Sequence, residues 1–128
     1  MAVKRDMDLV REILLQIRQR EDLSLLPLKV AGVDDDVVAR HGELLIEAGL
    51  LDGKVRESSR NGVPFVVIRD LTWEGHDFLA VLENADVWSQ LRQAFKPAVL
   101  AALPFGILKS VGGAMLSKWA MRQVGLGE

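Results

Sequence analysis

Cysteine is absent from the 128 residues. That excludes a disulfide framework and any zinc site built on thiolates. Histidine is nearly absent as well, at two residues, so a histidine-rich metal centre is not expected. Positive charge is not in excess: 16 basic residues face 18 acidic ones, for a net charge of −2. A dedicated nucleic-acid binder usually carries a basic surplus or a basic face. The balance therefore argues against such a role for the whole surface, while leaving room for a local patch. Long apolar runs are missing too. The longest uncharged stretch in the C-terminal tail is residues 97–108. A membrane span needs about 20 predominantly apolar residues, and Pro104 interrupts this stretch. No glycine-rich loop follows a strand to cradle phosphate, and neither histidine sits in a nucleophile motif. No cofactor is implied, and an enzyme is not expected. The N-terminus is polar (Lys4, Arg5, Asp6, Asp8) and does not read as a signal peptide. A cytoplasmic protein is the simple expectation. What remains is a chain with 49% apolar residues, enough for a real core.

Residues 5–20 place Met7, Val10, Ile13, Leu14 and Ile17 at the spacing of an amphipathic helix. Pro27 and Gly32 rule out a good helix over 23–33, where Leu28 and Val30 alternate as in a short strand. The next helix starts at Asp34, an N-cap type, with Asp35 and Asp36 favourable to the helix dipole. Val37, Val38, His41, Leu44, Leu45 and Ala48 share one side. Gly49 has the position of a left-handed C′ residue, after which Leu50 folds back. Gly42 costs this helix about 1 kcal/mol relative to alanine unless close packing requires it. Residues 51–70 read as a hairpin, with Leu51 and Val55 on one strand, 63–69 on the other and Asn61-Gly62 as a type I′ turn. Pro64 lacks an N–H, so its strand needs a free edge there. Thr72 caps a helix from which Trp73, Phe78, Leu79 and Leu82 point inward. Asp86 can cap a further helix carrying Val87, Trp88, Leu91 and Phe95, which ends by Pro97. In the tail, small residues recur every four positions at Ala98, Ala102, Gly106, Ser110 and Ala114. Leu100, Leu103, Ile107 and Val111 form another face, and Pro104 kinks or splits the helix.

This order of elements is that of a winged helix with its middle helix shortened. "VARHGELLIEAGLL" resembles the recognition-helix segment of many bacterial winged-helix regulators. "KRDMDLVREILLQI" (4–17), "HGELLIEAGLL" (41–51) and "LTWEGHDFLAVLENADVW" (71–88) are together similar to an uncharacterised family of small phage and bacterial proteins, catalogued only as a domain of unknown function. Gly42 stands where related sequences carry leucine. The resemblance implies an α+β fold: a winged helix with a two-stranded wing and extra C-terminal helices. It also implies a phage or prophage setting. It brings no activity. The expected division is a winged-helix domain over 1–96 and a hydrophobic helical tail over 97–128.

Two functions of different class follow. One is a small regulator contacting double-stranded DNA, chiefly through the wing: Lys54, Arg56, Arg60 and Asn61, joined by Arg40 of the helix. The wing can hold phosphates without the helix reading bases. The helix itself suits reading poorly, since its exposed charges are Asp35, Asp36, Arg40, Glu43 and Glu47, four of the five being acidic. The other is a protein-interaction module that uses the winged helix as a scaffold, with the acidic helix or the tail binding a partner. Ala98, Ala102, Gly106, Leu103, Ile107 and Val111 are the expected association residues, and homo-oligomerisation through the tail is expected. Asp34 to Asp36 are read as capping and dipole charges rather than as metal ligands. His41 is read as a satisfied core histidine.

Overall fold

The apolar stripe of the first segment folds as helix α1 (Met7–Arg18), with Val10, Ile13, Leu14 and Ile17 buried. Burying each such side chain stabilises the fold by about 1.5–3 kcal/mol. Asp6 caps it, its Oδ1 accepting from the Asp8 N–H at 2.9 Å and the Leu9 N–H at 3.3 Å. The computed structural model describes residues 4–58 and 63–125. After α1 come strand β1 (Leu26–Pro27), helix α2 (Asp35–Glu47), strands β2 (Leu51–Glu57) and β3 (Pro64–Leu71), and helices α3 (Trp73–Glu83), α4 (Ala85–Ala94), α5 (Pro97–Ala102) and α6 (Phe105–Gln123). The fold is mixed α+β, with three antiparallel strands in the order β1-β3-β2. Two compact units divide the chain, one running to His76 and one beginning at Asp77.

In the first unit α1 and α2 pack on each other and on β3. Helix α2 ends as its glycine requires. Gly49 has φ +77°, its N–H reaches the Ile46 carbonyl at 3.0 Å, and the Leu50 N–H reaches Leu45 at 2.9 Å. That pair of bonds is a Schellman closure, and Leu50 and Leu45 are both buried. Asp34 stands at the N-cap but its side chain makes no capping bond; the two acidic residues after it meet the helix dipole. Gly42 lies at a close approach of the helix to the sheet. A Cβ there would lie 3.0 Å from Leu28 Cδ2 and 3.1 Å from Val66 Cγ1, tighter than ordinary contact, so those side chains would have to give by a few tenths of an ångström.

The short strand sits two residues earlier than the alternation of Leu28 and Val30 predicts. Its place is fixed by pairing, Leu26 opposite Ile68 and Pro27 opposite Val67. Strand β3 is therefore central, and Pro64 is its first residue, beyond the reach of β1. The β2–β3 register slips between Asp52 and Gly53, a bulge that leaves Arg69 without a partner position. The predicted Asn61-Gly62 turn lies outside the described residues.

In the second unit Asn84, not Asp86, caps α4, accepting from the Val87 N–H at 3.0 Å. Asp86 instead accepts from Trp119 Nε1 at 3.0 Å. Val81, Val87 and Leu91 form a buried cluster, with Trp88, Phe95, Val111, Met115 and Leu116 packed against it. Pro104 splits the tail into α5 and α6. Among the described residues no helix is long and apolar enough to cross a membrane.

Candidate nucleic-acid interface

Strand geometry decides which predicted contact residues stand together. From Gly53 to Glu57 the hairpin is regular, with Lys54 opposite Val67, Val55 opposite Val66 and Arg56 opposite Phe65. Side chains alternate between faces along a strand, and directly opposed residues share one. Val66 touches the backbone of α2 at Gly42, so Val55 and Val66 lie on the helix-bearing face. Lys54, Arg56 and Phe65 lie on the opposite face, and all three are exposed. The same alternation sends Glu57, the nearest carboxylate of β2, to the helix-bearing face. Lys54 and Arg56 therefore share their face with the exposed Phe65 ring and with one carboxylate of β2, Asp52, two residues before Lys54. Arg69, at the bulge, lies 3.9 Å from Asp52.

Arg40 is not part of that face. It lines a groove of about 250 Å³ between α2 and the hairpin, with Asp36, Ala39, Glu43, Val55, Val63, Pro64 and Val66. Its guanidinium is paired with Glu43 one turn on, and Lys29 meets Asp35 at 3.3 Å. The exposed side of α2 is thus acidic and internally paired. The sheet separates Arg40 from Lys54 and Arg56. Arg60 and Asn61, expected at the hairpin tip, lie outside the described residues.

The residues expected to mediate association are distributed unevenly in the second unit. Val111 packs on the Val81–Leu91 cluster. Ala98, Ala102 and Gly106 are exposed, Leu103 is half-buried, and Ile107 is 49% exposed.

His41 is 1% exposed and both ring nitrogens are engaged. The Asp6 N–H donates to Nε2 at 2.8 Å, and Nδ1 lies 2.9 Å from the Val37 carbonyl. An amide N–H can only donate, so Nε2 is the acceptor and Nδ1 carries the proton. This is the satisfied core histidine of the sequence reading. His76 is exposed.

Three features escaped the sequence. Trp73 does not point inward; it is 83% exposed. Thr72 caps α3 as the sequence predicts, accepting from the Gly75 N–H at 3.0 Å; the feature the sequence does not show is its bond to the Gly49 carbonyl, to which it donates at 2.6 Å. Arg20 clamps the segment before β1, donating to the Ile68 carbonyl at 2.7 Å and the Ser24 carbonyl at 2.6 Å. Within that segment the Ser24 hydroxyl donates to Asp22, and the Ser24 N–H does so at 2.7 Å. These bonds favour the charged form and hold the Asp22 carboxyl below its ordinary value. A lowered carboxyl pKa contributes stability that is present above the unfolded value and is lost as pH falls through the folded one. Ser24→Ala removes the larger cause. Asp22 should then titrate closer to an ordinary aspartate in a carboxyl-carbon NMR titration, and an unmoved midpoint would refute this assignment.

Residues 4–100 match the family described as "Hypothetical protein (DUF2513)". An "Uncharacterized protein" of Haemophilus influenzae (strain ATCC 51907 / DSM 11121 / KW20 / Rd) is 35% identical over 118 residues, spanning 91% of this chain and 98% of that one. No solved structure matches. The chain belongs to the DUF2513 family.

Proposed function

We propose that this member of the DUF2513 family is a winged-helix module that contacts duplex DNA with its hairpin rather than with helix α2. The order α1-β1-α2-β2-β3 and the sheet order β1-β3-β2 support the winged-helix reading, with one helix fewer than the usual motif. The observation that carries the DNA reading is the outward hairpin face. Lys54 and Arg56 stand two positions apart on one strand, exposed, and no ion pair is seen for either among the described residues. Such cations neutralise phosphates and release counterions. Helix α2 in this reading is a scaffold, because its acidic, paired surface repels a polyanion. A regulatory role of the phage or prophage kind belongs with this reading. Neutralising both cations by Lys54→Ala and Arg56→Ala removes two phosphate contacts. The slope of log affinity against log salt should then fall by about 1.8, with affinity lost roughly uniformly across sequences. A slope identical to that of the parent chain would remove the hairpin from the account.

A second reading is favoured by the α2–hairpin groove. Its floor is apolar (Ala39, Val55, Val66) and its rim charged (Asp36, Arg40, Glu43), which suits a segment of a partner protein. The two readings separate by ionic strength: phosphate contact weakens steeply with salt, whereas contact with an apolar floor does not.

A further inference from the structure

The most exposed large apolar side chain in the described structure is Trp73, at 83%. It is the first residue of α3 and projects beside an open bay of about 900 Å³ lined by residues 51–53 and 70–74 with His76. The bay lies wholly within the first unit. A tryptophan left in water is unusual, because its large apolar ring normally packs. Tryptophan is also the residue type most enriched where partner proteins make their decisive contacts.

The surroundings of the ring specify the chemistry. Leu51 and Leu71 are buried at 3% and 5% exposure and form a pair across β2 and β3. At Gly53 the two strands approach closely, since a Cβ there would lie 2.5 Å from the Val67 carbonyl oxygen. Three carboxylates rim the bay, from Asp52, Asp70 and Glu74, and no lysine or arginine lines it. Asp70 Oδ1 accepts from the Leu71 N–H at 2.7 Å, which orients that carboxylate. Asp52 meets Arg69 only loosely, at 3.9 Å, with both side chains more than half exposed. The Thr72 hydroxyl is committed to Gly49 and Gly75. An exposed indole beside three carboxylates is complementary to a cation with an apolar stem. An arginine or lysine side chain supplies both parts, stacking its charged head on the ring face and meeting the carboxylates at its edge. The same carboxylates repel nucleic acid, and they leave a purely apolar partner nothing to pair with them.

We propose that the Trp73 bay docks a basic, arginine- or lysine-containing segment of a partner protein. The site shares no residue with the Lys54, Arg56 and Phe65 set and does not depend on that set binding DNA.

The three indoles of the chain, Trp73, Trp88 and Trp119, allow a direct test. The full chain is titrated with a short oligo-arginine peptide while the three indole N–H resonances are followed by NMR, with an oligo-glutamate peptide as control. The Trp73 resonance should move saturably with oligo-arginine alone. Trp119, bonded to Asp86, and Trp88, packed in the second unit, should stay in place. The double variant Asp70→Asn, Glu74→Gln should weaken binding about tenfold or more, and Trp73→Ala should abolish the saturable response at the remaining resonances of the bay. An unmoved Trp73 resonance, equal movement of all three indoles, an equal response to oligo-glutamate, or undiminished binding by the double variant would each overturn the proposal. So would a doubling of molecular mass that reproduces the Trp73 shift without peptide, which would make the occupant a second copy of the chain.

Discussion

Replacing His41 by alanine is expected to destabilise the first unit by about 3–4 kcal/mol, the upper range for emptying a core site. The imidazole is fully buried and bridges two helices through opposite nitrogens. Nε2 holds the Asp6 N–H at 2.8 Å and Nδ1 the Val37 carbonyl at 2.9 Å. Alanine leaves a cavity where the ring stood. It also removes the acceptor of the Asp6 N–H; Asp6 is exposed, so this adds the loss of one hydrogen bond, about 0.5–1.5 kcal/mol. Asp6 is the cap of α1, so its loss of anchorage should loosen the first turn of that helix. Urea denaturation measures the magnitude. Amide exchange measures the location: the Asp6 amide and the first turn of α1 should lose protection disproportionately. A stability loss under 1 kcal/mol, or protection at Asp6 unchanged, would show that the bridge does not hold α1 to α2.

Gly75→Ala should also destabilise the first unit, by about 1–3 kcal/mol, although alanine is the better helix former. Propensity favours the substitution by about 1 kcal/mol. Packing opposes it more strongly. A Cβ at position 75 would overlap the Leu50 carbonyl oxygen and come within 3.0 Å of its carbon. That carbonyl has little freedom to move, because it accepts from the Thr72 N–H at 3.1 Å and belongs to the buried residue that closes α2. Overpacking of this kind costs about 1–3 kcal/mol, and displacing the Leu50–Thr72 bond adds about 1 kcal/mol. Gly113→Ala is the internal comparison. It lies within α6 and a Cβ there meets nothing within 4 Å, so propensity acts alone and the variant should gain about 0.5–1 kcal/mol. Opposite signs for the two glycines, measured by the same urea curves, are the expected result. Equal signs would mean that the Leu50–Gly75 approach does not constrain the fold.

These two sites show what was legible in the residues. The stripe of α1, the glycine stop of α2 and the buried, satisfied state of His41 follow from periodicity and from glycine's access to positive φ, which are local properties. The features that were not legible depend on residues far apart in the chain. Strand β1 is only Leu26–Pro27 because Val67 and Ile68 are what it pairs with. Both Asn84 and Asp86 are cap-type residues; Asn84 takes the cap, while Asp86 meets Trp119, 33 residues away. Trp73 was misplaced for a different reason. Phe78, Leu79 and Leu82 define the inward side of α3, and at about 100° per residue position 73 falls well away from it. Its hydrophobicity predicts burial; its helical phase predicts exposure. The candidate interface was legible only as a set of cations. That Arg40 stands on one side of the sheet while Lys54 and Arg56 stand on the other required the contact of Gly42 with Val66.

The outward hairpin face is the centre of the functional account, and a salt-dependent titration tests it most directly. Mixed-sequence duplex DNA is titrated into the full chain at low and then physiological salt, with the molecular mass in solution followed alongside. The account predicts binding at low salt that falls linearly on logarithmic axes as salt rises, with a slope lowered by about 1.8 in the Lys54→Ala, Arg56→Ala variant. No binding at low salt would contradict it, and the α2–hairpin groove would then be the surface to pursue.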